Sequence, residues 1–548
     1  RVRLTACPGE ITSASLVLWT PDELKGALPT ATDLKGPAGV ISAASMDFKW
    51  VKCWHQGSTA PHWWHRSLKK ALIPELLLND DDLVRVDRDK ERTLLRLSFP
   101  EGDRYVDISE PSPWTGKYQY SGRSIAEFPV RDGARLLPAD LPAGKNKQVW
   151  LTIKVPDATP AGRYAGTVRV QAGERKLAEI PIEVDVLPWR LPAPRTHYDS
   201  SREYTGGIYY WGRLDPEGTG RVGGYFWKNE RQFRAELRLM RQHNITAPAL
   251  AGLAVDNIAK PDAEAALRRH LAILREEGFG GALYLASSAT LLTGGRPTTK
   301  PAEFEALRVR VRRVLGLAKE YGFTHVYFYG VDEAGPDVVR EMLPSYKLVR
   351  EEGGEVMQSG CPGMVSLAGP VLGVFNHNHP AAHGEVAAYH SHGTRVFNYG
   401  NPQGFCEDPE MWRRNYGLYN WRHDLDGACT YCFSESTNCS WNDFDHALRE
   451  MSAAYPTMDG VVGTLQLAGF REALNDVRYA TKLRMLIEEI ERTGSAAEKE
   501  QAAAAKKRLE EFNLVYGGCS PLGPPANIAD LDGIRLEMVQ WIRRLRRD

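Results

Sequence analysis

The chain has 548 residues, 43% of them hydrophobic and 25% charged, enough for two or more domains with real cores and incompatible with wholesale disorder. Its 69 Lys and Arg are balanced by 69 Asp and Glu, so it lacks the basic excess of a dedicated nucleic-acid binder and suits a neutral partner. No stretch approaches the ~20 apolar residues that span a bilayer, so neither nucleic acid nor membrane is implied as a partner. Many aromatic residues sit in polar, Gly-rich stretches, such as Tyr209-Tyr210-Trp211 and Trp63-Trp64, which suggests stacking surfaces.

From Arg1 to about residue 195, short alternating runs are separated by Pro, Gly and Asp turns. Gln148 to Val155, Arg163 to Val170 and Leu177 to Leu187 read as an antiparallel meander, and the whole segment as a β-sandwich. The Pro-rich stretch Leu187-Pro188-Trp189-Arg190-Leu191-Pro192-Ala193-Pro194 cannot hold a ladder and ends it. Trp54, His55, His62, Trp63 and Trp64 form an exposed-looking aromatic cluster there, read as scaffold rather than glycan site.

Over residues 196–465, apolar strands alternate with amphipathic helices, the pattern of a parallel α/β sheet. The predicted strands are Tyr198 to Tyr204, Ile245 to Leu250, Ala282 to Ala286, His325 to Val331, Glu355 to Gln358, Val371 to Asn376, Arg395 to Tyr399 and Gly427 to Phe433. Eight such repeats have the size of a (β/α)8 TIM barrel, with a doubly wound open sheet as the alternative. Residues 466–548 predict a C-terminal helical layer over Leu467 to Arg492, Ser495 to Tyr516 and Leu531 to Arg547. The eight cysteines are too sparse for a disulfide scaffold, and the cluster of Cys406, Cys429, Cys432 and Cys439 reads as buried free thiols, because Cys429 and Cys432, three apart on a strand, face opposite ways and make a poor metal pair.

Barrel chemistry lies at the C-terminal strand ends. The fourth strand runs from Tyr327 through Tyr329 into Asp332-Glu333 just before a helix starting at Pro336. Helix capping would account for one acid, but not for the pair beside two tyrosines. Paired carboxylates among aromatics suggest glycoside hydrolysis, yet the usual second carboxylate ~5 to 5.5 Å across the sugar has no obvious source on strands six and seven. Adjacent acids pointing in different directions suit substrate assistance instead. A 2-acetamido oxygen then attacks the anomeric carbon, Asp332 orients the acetamido N–H, and Glu333 acts as acid and then base. The charge of Asp332 and aromatic burial are both expected to raise the pKa of Glu333.

The order of sandwich and barrel, the strand Tyr327-Phe328-Tyr329-Gly330-Val331-Asp332-Glu333, and the run Gly469-Phe470-Arg471-Glu472-Ala473-Leu474-Asn475-Asp476 together resemble glycoside hydrolase family 123 and its wider relatives. The resemblance implies a β-N-acetylgalactosaminidase with an adjacent Asp-Glu pair and substrate assistance. This chain has Ala473 where relatives commonly carry Gly.

Around the acids, strand-end residues predict a sugar pocket of Tyr204, Tyr329, Asn376, His377, His379, Asn398, Tyr399, Glu435 and Trp441, in which rings stack on the pyranose and polar groups bond its hydroxyls. The His377-x-His379 pair is read as sugar-binding, since no neighbouring acid completes a metal set, so no metal or other cofactor is expected. The reading is therefore an exo-acting retaining hydrolase of a terminal 2-acetamido sugar, β-linked N-acetylgalactosamine first. The alternatives are a non-acetamido glycosidase with Glu435 or Glu407 as second carboxylate, and a non-catalytic carbohydrate-binding protein. The partner is a glycan, the expected compartment is periplasmic or extracellular, and no oligomeric state is assigned.

Overall fold

The computed structural model describes residues 1–59, 66–112, 122–222, 226–360, 362–379, 381–400, 403–404, 406–435, 439–445, 451–512, 514 and 530–546. His62, Trp63, Trp64, Cys361 and Cys519 lie outside these residues.

Two sheets are built largely from the N-terminal segment. One has seven strands, including Val2–Ala6, Arg175–Val186, Gly162–Ala172, Leu24–Ala31 and Ala139–Leu141. The other has six, in the order Ile11–Trp19, Asn146–Lys154, Met46–Thr59, Arg66–Leu78, Val461–Thr464 and Ala454–Pro456. Alternate residues of both sheets, among them Ile182, Val184, Tyr164 and Val168 from the first and Phe48, Trp50, Val149 and Leu151 from the second, share one apolar cluster.

Two details correct the reading of chain order. The expected meander is split: Asn146–Lys154 lies in the six-stranded sheet, while Gly162–Ala172 and Arg175–Val186 pair in the seven-stranded one. The Pro156–Pro160 turn therefore carries the chain from one sheet to the other. The hairpin Ala454–Thr464, which follows the last barrel strand, returns to the six-stranded sheet, where Gly463 and Thr464 pair with Leu77 and Leu76.

The eight-stranded parallel sheet comprises β1 (Thr205–Tyr210), β2 (Ala247–Leu250), β3 (Gly281–Leu285), β4 (Phe323–Tyr329), β5 (Glu355–Gly360), β6 (Val374–His377), β7 (Arg395–Asn398) and β8 (Gly427–Thr430). It is a TIM barrel that nearly closes. β1 pairs with both β2 and β8, and the β7–β8 seam is bridged by Asp426 N–H donating to the Val396 carbonyl at 2.8 Å. Alternation sends Ile208, Leu283, Val326, Phe328, Val356, Phe375 and Val396 outward to the helices, and Tyr209, Tyr284, Tyr327, Tyr329, Met357, Phe397, Tyr399 and Cys429 inward. The inward layer is tyrosine-rich, and Tyr284 and Tyr327 stack with centroids 4.5 Å apart.

The first barrel strand is Thr205–Tyr210, not residues 198–204. Its glycines look like a turn in sequence, but they are what lets the neighbouring strands close in. A Cβ on Gly207 would stand 3.0 Å from the Ala428 carbonyl and 3.1 Å from that of Ala247.

Helices Leu465–Thr493, Ala496–Glu511 and Leu531–Leu545 follow the barrel. Among the described residues no helix is long and apolar enough to cross a membrane. Cys7, Cys53, Cys429, Cys432 and Cys439 are free thiols, whereas Cys406 is disulfide-bonded, contrary to its reading as a free thiol.

Candidate active site

The turn after β4 is shaped by glycine and by the following helix, Pro336–Glu351. Tyr346 of that helix accepts the Val331 N–H at 2.9 Å and donates to Gln358 Oε1 at 2.9 Å, bracing the turn against β5. A Cβ on Gly330 would lie 2.4 Å from the Tyr346 hydroxyl, so only glycine admits this brace. The chain then delivers Asp332 and Glu333 side by side to a cavity of about 420 Å³ at the C-terminal mouth of the barrel.

The two acids are held by different groups. Asp332 Oδ1 accepts from Tyr329 OH at 2.8 Å and from Ser359 Oγ at 2.6 Å. Glu333 has a left-handed backbone, φ 44°, a conformation that costs a non-glycine residue about 1–3 kcal/mol unless its surroundings enforce it. The enforcement comes from the Glu333 N–H, which donates to the Ser359 carbonyl at 3.2 Å, and from Tyr399 OH, which donates to Glu333 Oε1. Ser359 thus grips both acids, one through its hydroxyl and one through its carbonyl. Burial, then the contact with Glu333, pushes the Tyr399 phenol well above its ordinary range, so it stays a donor.

Across the cavity stands a second group, from beyond β1 and β8. Trp211 Nε1 donates to Tyr431 OH at 3.2 Å, and Tyr431 is hydrogen-bonded to Glu435. Burial raises the Glu435 carboxyl, partly countered by that bond. Ala251, Ala286 and Ser287 to Ala289 complete the wall with small side chains, and Gln403 and Met451 also line it.

The residues singled out from sequence divide sharply in placement. Asp332, Glu333, Tyr329, Tyr399 and Glu435 line the cavity. Asn376 lies beneath it, with Nδ2 3.2 Å from Tyr209 OH. Tyr204 lies elsewhere: it precedes β1, is fully buried, and donates to the Tyr416 carbonyl. Trp441 is also fully buried, its ring centroid 5.1 Å from Tyr455 and 6.1 Å from Trp54, with Nε1 donating to the Pro456 carbonyl at 2.8 Å. Trp54 shares this cluster and is not exposed, and Glu407 is buried outside the cavity lining.

His377 does have an acid beside it. Its Nδ1 accepts the His379 N–H at 3.1 Å, so Nε2 carries the proton toward Glu385 Oε2 at 3.3 Å. His377 is buried while His379 is exposed, and neither lines the cavity. Asn398 is buried and donates to the His379 carbonyl at 2.8 Å. Among the described residues no three His, Cys, Asp or Glu side chains converge as a metal-ligand set. Asp332 and Glu333 are both exposed, so the aromatic burial expected around Glu333 is absent.

The sequence pattern alone ends the fifth strand at Gln358 and so leaves out Ser359, whereas the strand continues to Gly360. Extending the Met357 alternation by one step would have put Ser359 inward at the strand end, where active-site groups collect.

No family model and no curated protein matches the chain. Among solved structures, a family 39 glycoside hydrolase from Bacteroides cellulosilyticus WH2 is 13% identical, with 63% of this chain and 76% of that chain covered and a TM-score of 0.33. A family 5 xyloglucanase from Bacteroides ovatus is 10% identical, with 86% and 98% covered and a TM-score of 0.29. A family 123 glycoside hydrolase from Clostridium perfringens, described for glycolipid glycan hydrolysis, is 12% identical, with 99% of this chain and 92% of that chain covered and a TM-score of 0.60. From end to end, therefore, the chain is similar in fold to a family 123 glycoside hydrolase, the family its sequence resembles.

Proposed function

We propose that the protein is a retaining glycoside hydrolase that removes a terminal 2-acetamido sugar, β-linked N-acetylgalactosamine first, by substrate assistance. The observation that carries this reading is the separate anchoring of two adjacent acids at one cavity: Asp332 by Tyr329 and Ser359, Glu333 by Tyr399. A likeness of fold to an enzyme described for glycolipid glycan hydrolysis supports a glycan as the substrate. The two N-terminal sheets read as a β-sandwich that supports the barrel.

In the first step the acetamido carbonyl oxygen bonds to the anomeric carbon as the glycosidic C–O bond breaks. Glu333 gives its proton to the departing oxygen, and Asp332 accepts the acetamido N–H, whose positive charge grows. In the second step water attacks the anomeric carbon, Glu333 takes the water's proton, and the acetamide oxygen leaves. Two inversions give retention. Tyr399, donating to Glu333, steadies the carboxylate left after the first transfer.

A second reading rests on Glu435. It lines the same cavity and burial raises its carboxyl, so in an enzyme for a non-acetamido sugar it is the candidate partner carboxylate.

Hydrolysis of paired 4-nitrophenyl glycosides, N-acetyl-β-galactosaminide beside β-galactoside, tests the choice. Activity on the acetamido substrate alone, inhibited by a thiazoline mimic of the cyclised intermediate and lost in Asp332→Asn and Glu333→Gln, is expected. Activity on galactoside that survives Asp332→Asn would overturn the assignment in favour of Glu435.

A further inference from the structure

A hydrogen-bonded chain crosses the barrel interior from β6 to β4, and its direction is fixed at one end by the backbone. Asn376 Nδ2 stands 3.2 Å from the Cys429 carbonyl and 3.2 Å from Tyr209 OH. A carbonyl can only accept, so the nitrogen of this amide must face it, and both hydrogens of that nitrogen are then committed. Tyr209 therefore accepts from Asn376 and spends its own proton onward. Its hydroxyl is 3.0 Å from that of Tyr329, which in turn donates to Asp332 Oδ1 at 2.8 Å. Ser359 Oγ, also in contact with Tyr329 OH, supplies the other donor to Oδ1 at 2.6 Å. No hydrogen bond reaches Asp332 Oδ2 from any described residue.

We propose that Asn376, Tyr209 and Tyr329, with Ser359, form a one-way donor chain that orients Asp332 by one carboxylate oxygen and leaves the other for the substrate's N–H. This deepens the reading given under Proposed function and rests on it for the identity of the group that meets Oδ2. Asn376 and Tyr209 are positioning residues in this scheme, because they act through Tyr329. The chain is enclosed: Asn376 is fully buried and Tyr209 and Tyr329 nearly so, and burial pushes both phenols above their ordinary range, reinforced by Cys429 and Asp332 at Tyr209 and by Tyr209 and Asp332 at Tyr329, keeping them protonated donors. Asp332 itself is exposed and would otherwise sample several rotamers.

The test is a double-mutant cycle on the full chain. Tyr209→Phe keeps the ring and removes only the link, so kcat on the acetamido glycoside is expected to fall about three- to tenfold with KM within about twofold. Ser359→Ala, which removes a direct donor to a charged group, is expected to cost about ten- to a hundredfold in kcat. In an Asp332→Asn background Tyr209→Phe should have no further effect, since its influence passes through the carboxylate. An equal loss in both backgrounds, or a rise in KM alone, would overturn the proposal. A crystal structure of Tyr209→Phe supplies a readout independent of substrate, with Asp332 expected to leave its contact with Tyr329. If Asp332 keeps both contacts there, the chain does not orient it. Wild-type inactivity on acetamido sugars, by contrast, would refute the substrate reading while leaving the structural arm to decide the chain.

Discussion

The mouth of the barrel and the helix Leu465–Thr493 both organise acids, and they do it by opposite means. At the mouth, Asp332 and Glu333 are exposed and are met by neutral hydroxyls from Tyr329, Ser359 and Tyr399. On the helix, Asp476 is buried and Glu472 half-buried, and both are met by charge. Asp476 takes Arg413 Nε at 2.7 Å and Arg535 Nε at 2.6 Å, and Glu472 takes Arg535 Nη1 at 2.7 Å. Burial alone would raise Glu472, but Arg535, Arg471 and Arg413 hold it down at about 2. The same helix ties Asn475 to the Ile11 carbonyl and Tyr479 to Glu10 of the N-terminal segment. Neutral donors leave an acid open to new partners, whereas paired guanidinium groups use it up. Of the two stretches that carry the resemblance, the strand with Asp332-Glu333 therefore leads to the cavity, and the Arg471-Glu472 run belongs to the architecture.

This contrast breaks most visibly if activity and stability fail to separate. Glu333→Gln is expected to lower kcat by about a thousandfold or more, while thermal unfolding of the exposed-site variant stays within about 0.5 kcal/mol of wild type. Asp476→Asn should do the reverse. Leaving two guanidinium groups around a neutral amide costs about 3–5 kcal/mol in denaturant unfolding, with kcat of the folded fraction unchanged. Trp441→Ala, within the Trp54–Tyr455 cluster, should cost about 3–5 kcal/mol and leave KM for a small glycoside unmoved; a KM effect would return Trp441 to the sugar pocket.

The smallest expected effect is a pH slope. His270 accepts the Leu214 N–H on Nε2 at 3.0 Å, its Nδ1 faces the Ala266 carbonyl at 2.7 Å, and burial depresses it from 6.5 to about 4. The folded state therefore binds this proton less readily than the unfolded chain. Its stabilisation is full above pH 6.5 and is lost as pH falls toward 4. Unfolding at several pH values should show this slope, of the order of a few kcal/mol at most, and His270→Gln should flatten it.

Strand spacing made the barrel legible, because each buried parallel strand is local in sequence. It failed at Gly206-Gly207, where a requirement for close strand approach mimics a turn. The Asp332-Glu333 pair was legible for the same reason the strands were: counting along β4 ends on it. Trp441 and Tyr204 were misplaced because an aromatic beside a strand end gives no hint of which side it faces. For Trp441 the deciding partners are Trp54, from the N-terminal segment, and Tyr455, on the hairpin Ala454–Thr464. Glu385 escaped notice beside His377 because it sits on the next helix, His383–Ser391, eight positions on, and folds back.

The hairpin Ala454–Thr464 fixes the order in which the molecule can be finished. Glu75, fully buried in the six-stranded sheet, accepts from Tyr455 and from Gln466, the latter 391 positions away, as well as from Trp54 and Gln56. As the chain leaves the ribosome, Arg66–Leu78 emerges early and stands as a sheet edge with a carboxylate only half supplied with donors. It must wait there until the entire barrel has been made. A strand made before the barrel is thus completed only after it.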